Sequence, residues 1–81
     1  MSDRAGRPDP RLQTFGAHLR ASREKHGLTI EQLAELAGVS VRQITRVEAG
    51  RASPSLLWVM DVAAGLKMTA SDLLKRSART R

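Results

Sequence analysis

The sequence predicts an all-α fold: a compact bundle of five short helices within 81 residues. Three observations lead there. Apolar residues recur at spacings of three and four, the helical period, rather than two. Helix starts and stops are marked along the chain by Thr or Ser three residues before Gln and by glycine after the last periodic residue. Hydrophobic residues make up 41% of the chain, yet it has one Phe, one Trp and no Tyr. The core must therefore be built from Leu, Val, Ile and Ala, which suits short helices packed closely.

The elements follow in order. Residues 1–10, MSDRAGRPDP, hold two prolines, a glycine and alternating Asp and Arg, and read as a flexible N-terminal arm. The folded domain is expected over residues 11–76 and a basic tail over 77–81. A first helix is expected from about Arg11 to His26, with Leu12, Phe15 and Leu19 on one face, Arg23 continuing that stripe and Gly27 capping the end. Thr29-Ile-Glu-Gln32 is a capping box that opens the second helix, whose inward face is Ile30, Leu33, Ala34 and Ala37. Gly38 supplies a turn that a residue with a Cβ would resist. Ser40-Val-Arg-Gln43 is a second capping box, opening a third helix that faces Ile44 and Val47 inward. Val39 plugs the core at the turn, and Gly50 ends the helix. Pro54 and Ser55 start a fourth helix with Leu56, Val59, Val62, Ala63 and Leu66 inward and Leu57, Trp58 and Asp61 outward. Thr69 or Ser71 caps a fifth, containing Leu73 and Leu74.

Helix, tight turn and short helix form the layout of a helix-turn-helix, which carries one helix into the major groove of DNA. The net charge of +6 and a pI near 11.4 favour a polyanionic partner. Much of the excess lies in Lys75, Arg76, Arg79 and Arg81, so the tail is either a solvated helix end or a phosphate contact. Other classes find little support. There are no cysteines for disulfides or thiolate metal sites, in keeping with a cytoplasmic location. No apolar run approaches the roughly 20 residues of a membrane span, and the start lacks the apolar stretch of a signal peptide. His18 and His26 have no carboxylate at a metal-ligand spacing, and no nucleophile elbow or phosphate loop is present. The expectation is no enzyme, no cofactor and no small-molecule ligand.

The ordered set Gly27-Leu28-Thr29, Leu33-Ala34, Ala37-Gly38-Val39-Ser40, Ile44, Val47-Glu48, Gly50, Pro54-Ser55, Leu66 and Leu73 resembles the Xre/Cro family of phage-repressor-like DNA-binding domains. The resemblance covers roughly Leu12 to Leu74. It implies base reading by Val41, Arg42, Thr45 and Arg46. Their chemistry suits that role, since Arg can bond O6 and N7 of guanine while Val41 and the Thr45 methyl can meet a thymine methyl. Phosphates would fall to Thr29, Arg51 and Ser53. The family often has Gln just after the second-helix cap; Ile30 stands here, and Gln32 and Gln43 are the substitutes, each also claimed by its own capping box.

The resemblance also implies a structural pair of Arg23 with Glu48, and a two-fold interface around the fourth and fifth helices, here Leu57, Trp58, Asp61 and Leu74. The competing expectation for Trp58 is that it folds back on the arm or the first helix. The function implied is a transcriptional regulator that binds a palindromic operator on double-stranded DNA as a homodimer. The rivals are a protein-interaction module, such as an antitoxin or coactivator domain of the same motif, and the N-terminal domain of a longer regulator.

Overall fold

The computed structural model describes residues 9–78. Five α-helices follow one another: α1 Pro10–Lys25, α2 Ile30–Ala37, α3 Val41–Glu48, α4 Leu56–Gly65 and α5 Ala70–Ala78. They pack as a closed ring in the order α3, α1, α5, α4, α2 and back to α3. The ring encloses one aliphatic core, in which Leu19, Leu33, Ile44, Val62, Leu66 and Leu73 are fully buried.

Each helix is stopped and started locally. Asp9 caps α1 by accepting the Arg11 amide, and Pro10 sits at the first helical position, where an N–H would lack an intrahelical partner anyway. The helix therefore begins one residue before the expected Arg11 and ends at Lys25, with His26 as its cap. At the other end of the chain, α5 is capped by Thr69, whose hydroxyl accepts the Asp72 amide at 3.0 Å. It runs to Ala78, past the expected boundary between domain and tail at residue 77. Residues 1–8 of the arm and 79–81 of the tail lie outside the described residues.

Both helices of the motif are only eight residues long. The first four amides of any α-helix have no intrahelical acceptor, so capping matters more here than in a long helix. Both capping boxes are formed. The Gln32 amide donates to Thr29 Oγ1 at 3.0 Å and the Thr29 amide to Gln32 Oε1 at 2.9 Å. The Gln43 amide donates to Ser40 Oγ at 3.0 Å and the Ser40 amide to Gln43 Oε1 at 3.3 Å. Between them Gly38 holds φ at 71° and ψ at 32°, the left-handed region. A Cβ there would meet nothing within 4 Å, so the requirement is conformational rather than spatial.

Gly16 is the opposite case, and sequence reading missed it. It lies inside α1 with ordinary helical geometry. A Cβ at this position would land on the backbone carbonyls of Val47 and Glu48, 2.7 Å from the Glu48 oxygen. The absent side chain lets α1 and the end of α3 approach backbone to backbone. Nothing in the 3.6-residue pattern announces such a contact, because it belongs to two helices at once.

α4 departs from expectation. Its buried residues are Trp58, Val59, Val62 and Ala63, followed by Leu66 at its cap. At roughly 100° per residue these occupy one arc, with Trp58 at one edge and Ala63 at the other. Leu56, expected inward, falls beyond the Ala63 edge and is exposed, while Trp58, expected outward, is only 8% exposed. The buried arc is turned toward Trp58 because that edge of α4 faces the loop after α3, which covers it. The outer arc carries Leu56, Leu57 and Met60, all exposed.

The Gly16 contact gives a direct test. Helix propensity alone favours Ala over Gly by about 1 kcal/mol, but overpacking costs about 1–3 kcal/mol, and here the obstacle is backbone. Gly16→Ala is expected to lower unfolding free energy in urea titration. A stabilised variant would show that α1 and α3 do not meet at this point.

Candidate nucleic-acid interface

The candidate site is the outer face of α3 and the loop that follows it. Ile44 and Val47 are buried, which fixes the rotation of the helix about its own axis. The residues left on the other side are Val41, Arg42, Thr45 and Arg46, all exposed. Two of these make local contacts. The Thr45 hydroxyl donates to the Val41 carbonyl at 2.9 Å, so its hydrogen is taken up within the helix. The Arg46 guanidinium reaches the Arg51 carbonyl at a long 3.4 Å, which leans it toward the loop. Arg42 makes no ion pair among the described residues.

The flanking polar residues divide into two groups. Arg51 and Ser53 are exposed in the loop between α3 and α4. Thr29, Gln32 and Gln43 are exposed too, but both glutamine oxygens are consumed by the capping boxes. Gln43 Oε1 accepts a second bond, from the Trp58 indole Nε1 at 3.2 Å. Trp58 thus packs toward α3 and its loop rather than outward; the arm onto which it was alternatively expected to fold lies outside the described residues. Gln43, Arg46, Ser53, Pro54 and Trp58 line a groove of about 330 Å³ between α3 and the start of α4.

The orientation of α3 relative to the rest of the domain rests on Arg23 and Glu48. Arg23 Nε donates to Glu48 Oε2 at 2.7 Å and its Nη2 to Glu48 Oε1 at 3.0 Å, a two-pronged bond. The third nitrogen, Nη1, donates to the Leu28 carbonyl at 2.9 Å. One guanidinium therefore ties α1, the entry to α2 and the last residue of α3. Both side chains are about nine-tenths buried, at 10% and 8% exposure. The bond to Glu48 raises the Arg23 pKa above its ordinary value, and burial opposes this. A raised folded-state pKa on a cation keeps its contribution intact below the unfolded value. Arg23 therefore stays charged across the accessible pH range.

The dimer candidates differ in exposure. Leu57 is 71% exposed and Leu74 39% exposed, and Asp61 is exposed as well, but Trp58 is not. Among the described residues no group of His, Asp or Glu could hold a metal ion, and no helix is long and apolar enough to cross a membrane.

This geometry, a rigidly capped second helix of a pair with arginines on its free face, is that of a helix-turn-helix regulator. The comparisons agree. Residues 14–75 match the Helix-turn-helix domain family, and the chain belongs to the Xre/Cro-like group of helix-turn-helix transcription regulators. It is 37% identical over 67 residues to the HTH-type transcriptional repressor RghR of Bacillus subtilis. That match covers 82% of this chain but 50% of RghR, so the chain spans about half the length of that relative. Among solved structures it is similar to the restriction-modification controller protein C.AhdI of Aeromonas hydrophila. The TM-score is 0.75 at 34% identity, over 76% of this chain and 94% of that one. It is also similar to the clp gene regulator ClgR of C. glutamicum, with a TM-score of 0.77 at 32% identity, over 88% of this chain and 91% of that one.

Breaking a buried ion pair by removing one partner typically costs about 3–5 kcal/mol, because the other charge is left buried alone. Arg23→Ala and Glu48→Ala are each expected to destabilise in that range, and the double variant by much less than their sum. Arg23→Lys should recover little, since an ammonium cannot make the two-pronged bond and reach Leu28 together. A strictly additive cycle in denaturant melts would mean the pair is not coupled.

Proposed function

We propose that this chain binds double-stranded DNA sequence-specifically and regulates transcription, with α3 seated in the major groove of a palindromic operator. The observation that carries this reading is the free face of α3. Arg42 and Arg46 stand exposed on a helix whose rotation is set by Ile44 and Val47 and whose end is tied by Glu48. A pre-set helix loses little free energy to ordering when it binds. Val41, Arg42, Thr45 and Arg46 read base edges; Thr29, Arg51 and Ser53 hold phosphates. Gln32 and Gln43 contribute only through their amide NH2 groups, their oxygens being bonded within the fold. The naming of RghR as a repressor and of C.AhdI as a controller supports a regulatory role.

The chain acts as a homodimer on this reading. Leu56, Leu57 and Met60 form a continuous apolar arc on α4, and adjacent exposed apolar side chains are costly unless covered. A two-fold axis through this region would set the two copies of α3 about 34–36 Å apart, one turn of DNA. The same arc favours a second reading, a surface for a different protein, as an antitoxin would need. The match to half of RghR also leaves room for a longer regulator of which this is the DNA-binding part. A cytoplasmic location accords with all three.

Selection of bound duplexes from a random library should return a palindromic consensus. Against that consensus, Arg42→Ala and Arg46→Ala should each cost about 1–3 kcal/mol and relax preference at one position per half-site. Arg51→Ala should weaken all sequences alike and lower the salt slope by about one. Equal losses on specific and random DNA for all three would remove the base-reading assignment.

Leu57→Glu tests the dimer without touching the core, since Leu57 is the most exposed of the large hydrophobic residues of α4. Sedimentation should give a folded monomer with weakened operator binding. A variant that still sediments as a dimer would move the interface off α4.

A further inference from the structure

We infer that Trp58 is a positioning residue for DNA binding: it locks the Gln43 amide with its NH2 group outward, as a donor to a phosphate oxygen. The inference rests on the DNA-binding reading above and adds a residue that no base or phosphate contact would suggest.

The chemistry leaves one orientation for the amide. Two donors converge on Gln43 Oε1, the Trp58 indole N–H at 3.2 Å and the Ser40 backbone N–H at 3.3 Å. Indole N–H and backbone N–H can only donate, so both require the oxygen. Turning the amide over would set an NH2 group against two donors. The Gln43 NH2 makes no hydrogen bond among the described residues, and the residue is exposed.

An unlocked glutamine can read adenine with both ends of its amide, NH2 to N7 and oxygen to the N6 amino group. With its oxygen occupied, Gln43 cannot. What remains is a neutral donor, suited to an acceptor such as a phosphate oxygen. Its place on α3 points the same way. At roughly 100° per residue, Thr45 and Arg42 occupy the middle of the free face, and Gln43 lies at the edge beyond Arg46. That edge borders the groove shared with Ser53 and Trp58. When the middle of a helix faces the floor of the major groove, its flank faces the groove wall, where the phosphates run.

The test uses Trp58→Phe, which keeps a ring in the pocket and removes the N–H, together with Gln43→Ala and the double variant. Folding is checked by thermal melts. Trp58→Phe is expected to weaken binding to the selected consensus and to scrambled duplexes alike, by about threefold to tenfold, the worth of one hydrogen bond. Its consensus and salt slope should stay unchanged, because the donor is uncharged and reads no base. Gln43→Ala should cost nothing further in the Trp58→Phe background. Wild-type affinity in Trp58→Phe, or losses that multiply in the double variant, would overturn the inference and leave the DNA-binding reading intact. A consensus altered at one position would overturn the phosphate assignment in favour of a base edge. Wild-type protein that binds no duplex would overturn both. Should Trp58→Phe not fold, the wild-type ¹⁵N spectrum decides. The Gln43 side-chain NH2 signals must shift with consensus and scrambled duplex alike, and signals that stay in place refute the contact.

Discussion

The guanidinium of Arg23 is the point on which the arrangement of this small domain depends. Its three nitrogens are divided between the Glu48 carboxylate and the Leu28 carbonyl. Together they join the first helix, the entrance to the second and the end of the third. A buried ion pair is weak evidence for stability, because desolvation offsets attraction. Its use here is geometric. A two-pronged bond fixes both distance and angle, and it acts at the C-terminal end of α3 while the Ser40 capping box fixes the other end. Gly16 completes the seat by allowing the backbones of α1 and α3 to close. The aliphatic core sets the rotation of α3 through Ile44 and Val47, and the ion pair sets where its C-terminal end lies.

The exposed side of α3 is the counterpart of that anchoring. Its hydrophobic stripe is narrow, only Ile44 and Val47, so most of the helix is left free. A helix of eight residues buried so lightly would not persist alone in water. It persists because both ends are tied from outside, by Ser40 and Gln43 at the start and by Arg23 at the finish. The same economy links folding to recognition. Gln43 caps the helix, accepts the Trp58 indole and still offers two N–H donors to solvent.

On the far side, α4 combines two demands. Its buried arc closes the ring of helices and covers the loop after α3; its outer arc is apolar in Leu56, Leu57 and Met60. A helix that is apolar nearly all round belongs in the middle of something. Within one chain α4 is covered on one side only, and the apolar arc left on the other side is the observation on which the proposed two-fold interface rests.

Local chemistry made much of this legible in advance. The five helices, the two capping boxes, the Gly38 turn and the arginines on the free face of α3 all depend on neighbours within four positions in the sequence. Such patterns can be read along the chain before any tertiary contact is known. The tertiary structure decided what depends on two elements meeting. Gly16 is small because α3 lies across it, which its helical surroundings do not reveal. The α4 stripe was assigned from periodicity, but the periodic pattern of an almost wholly apolar helix has no sharp edge. Leu56 and Trp58 therefore exchanged sides, and only the position of the loop after α3 determined which was covered. The partnership of Trp58 with Gln43 spans fifteen positions. It is set by the crossing of α4 near the start of α3, and no local propensity encodes that crossing.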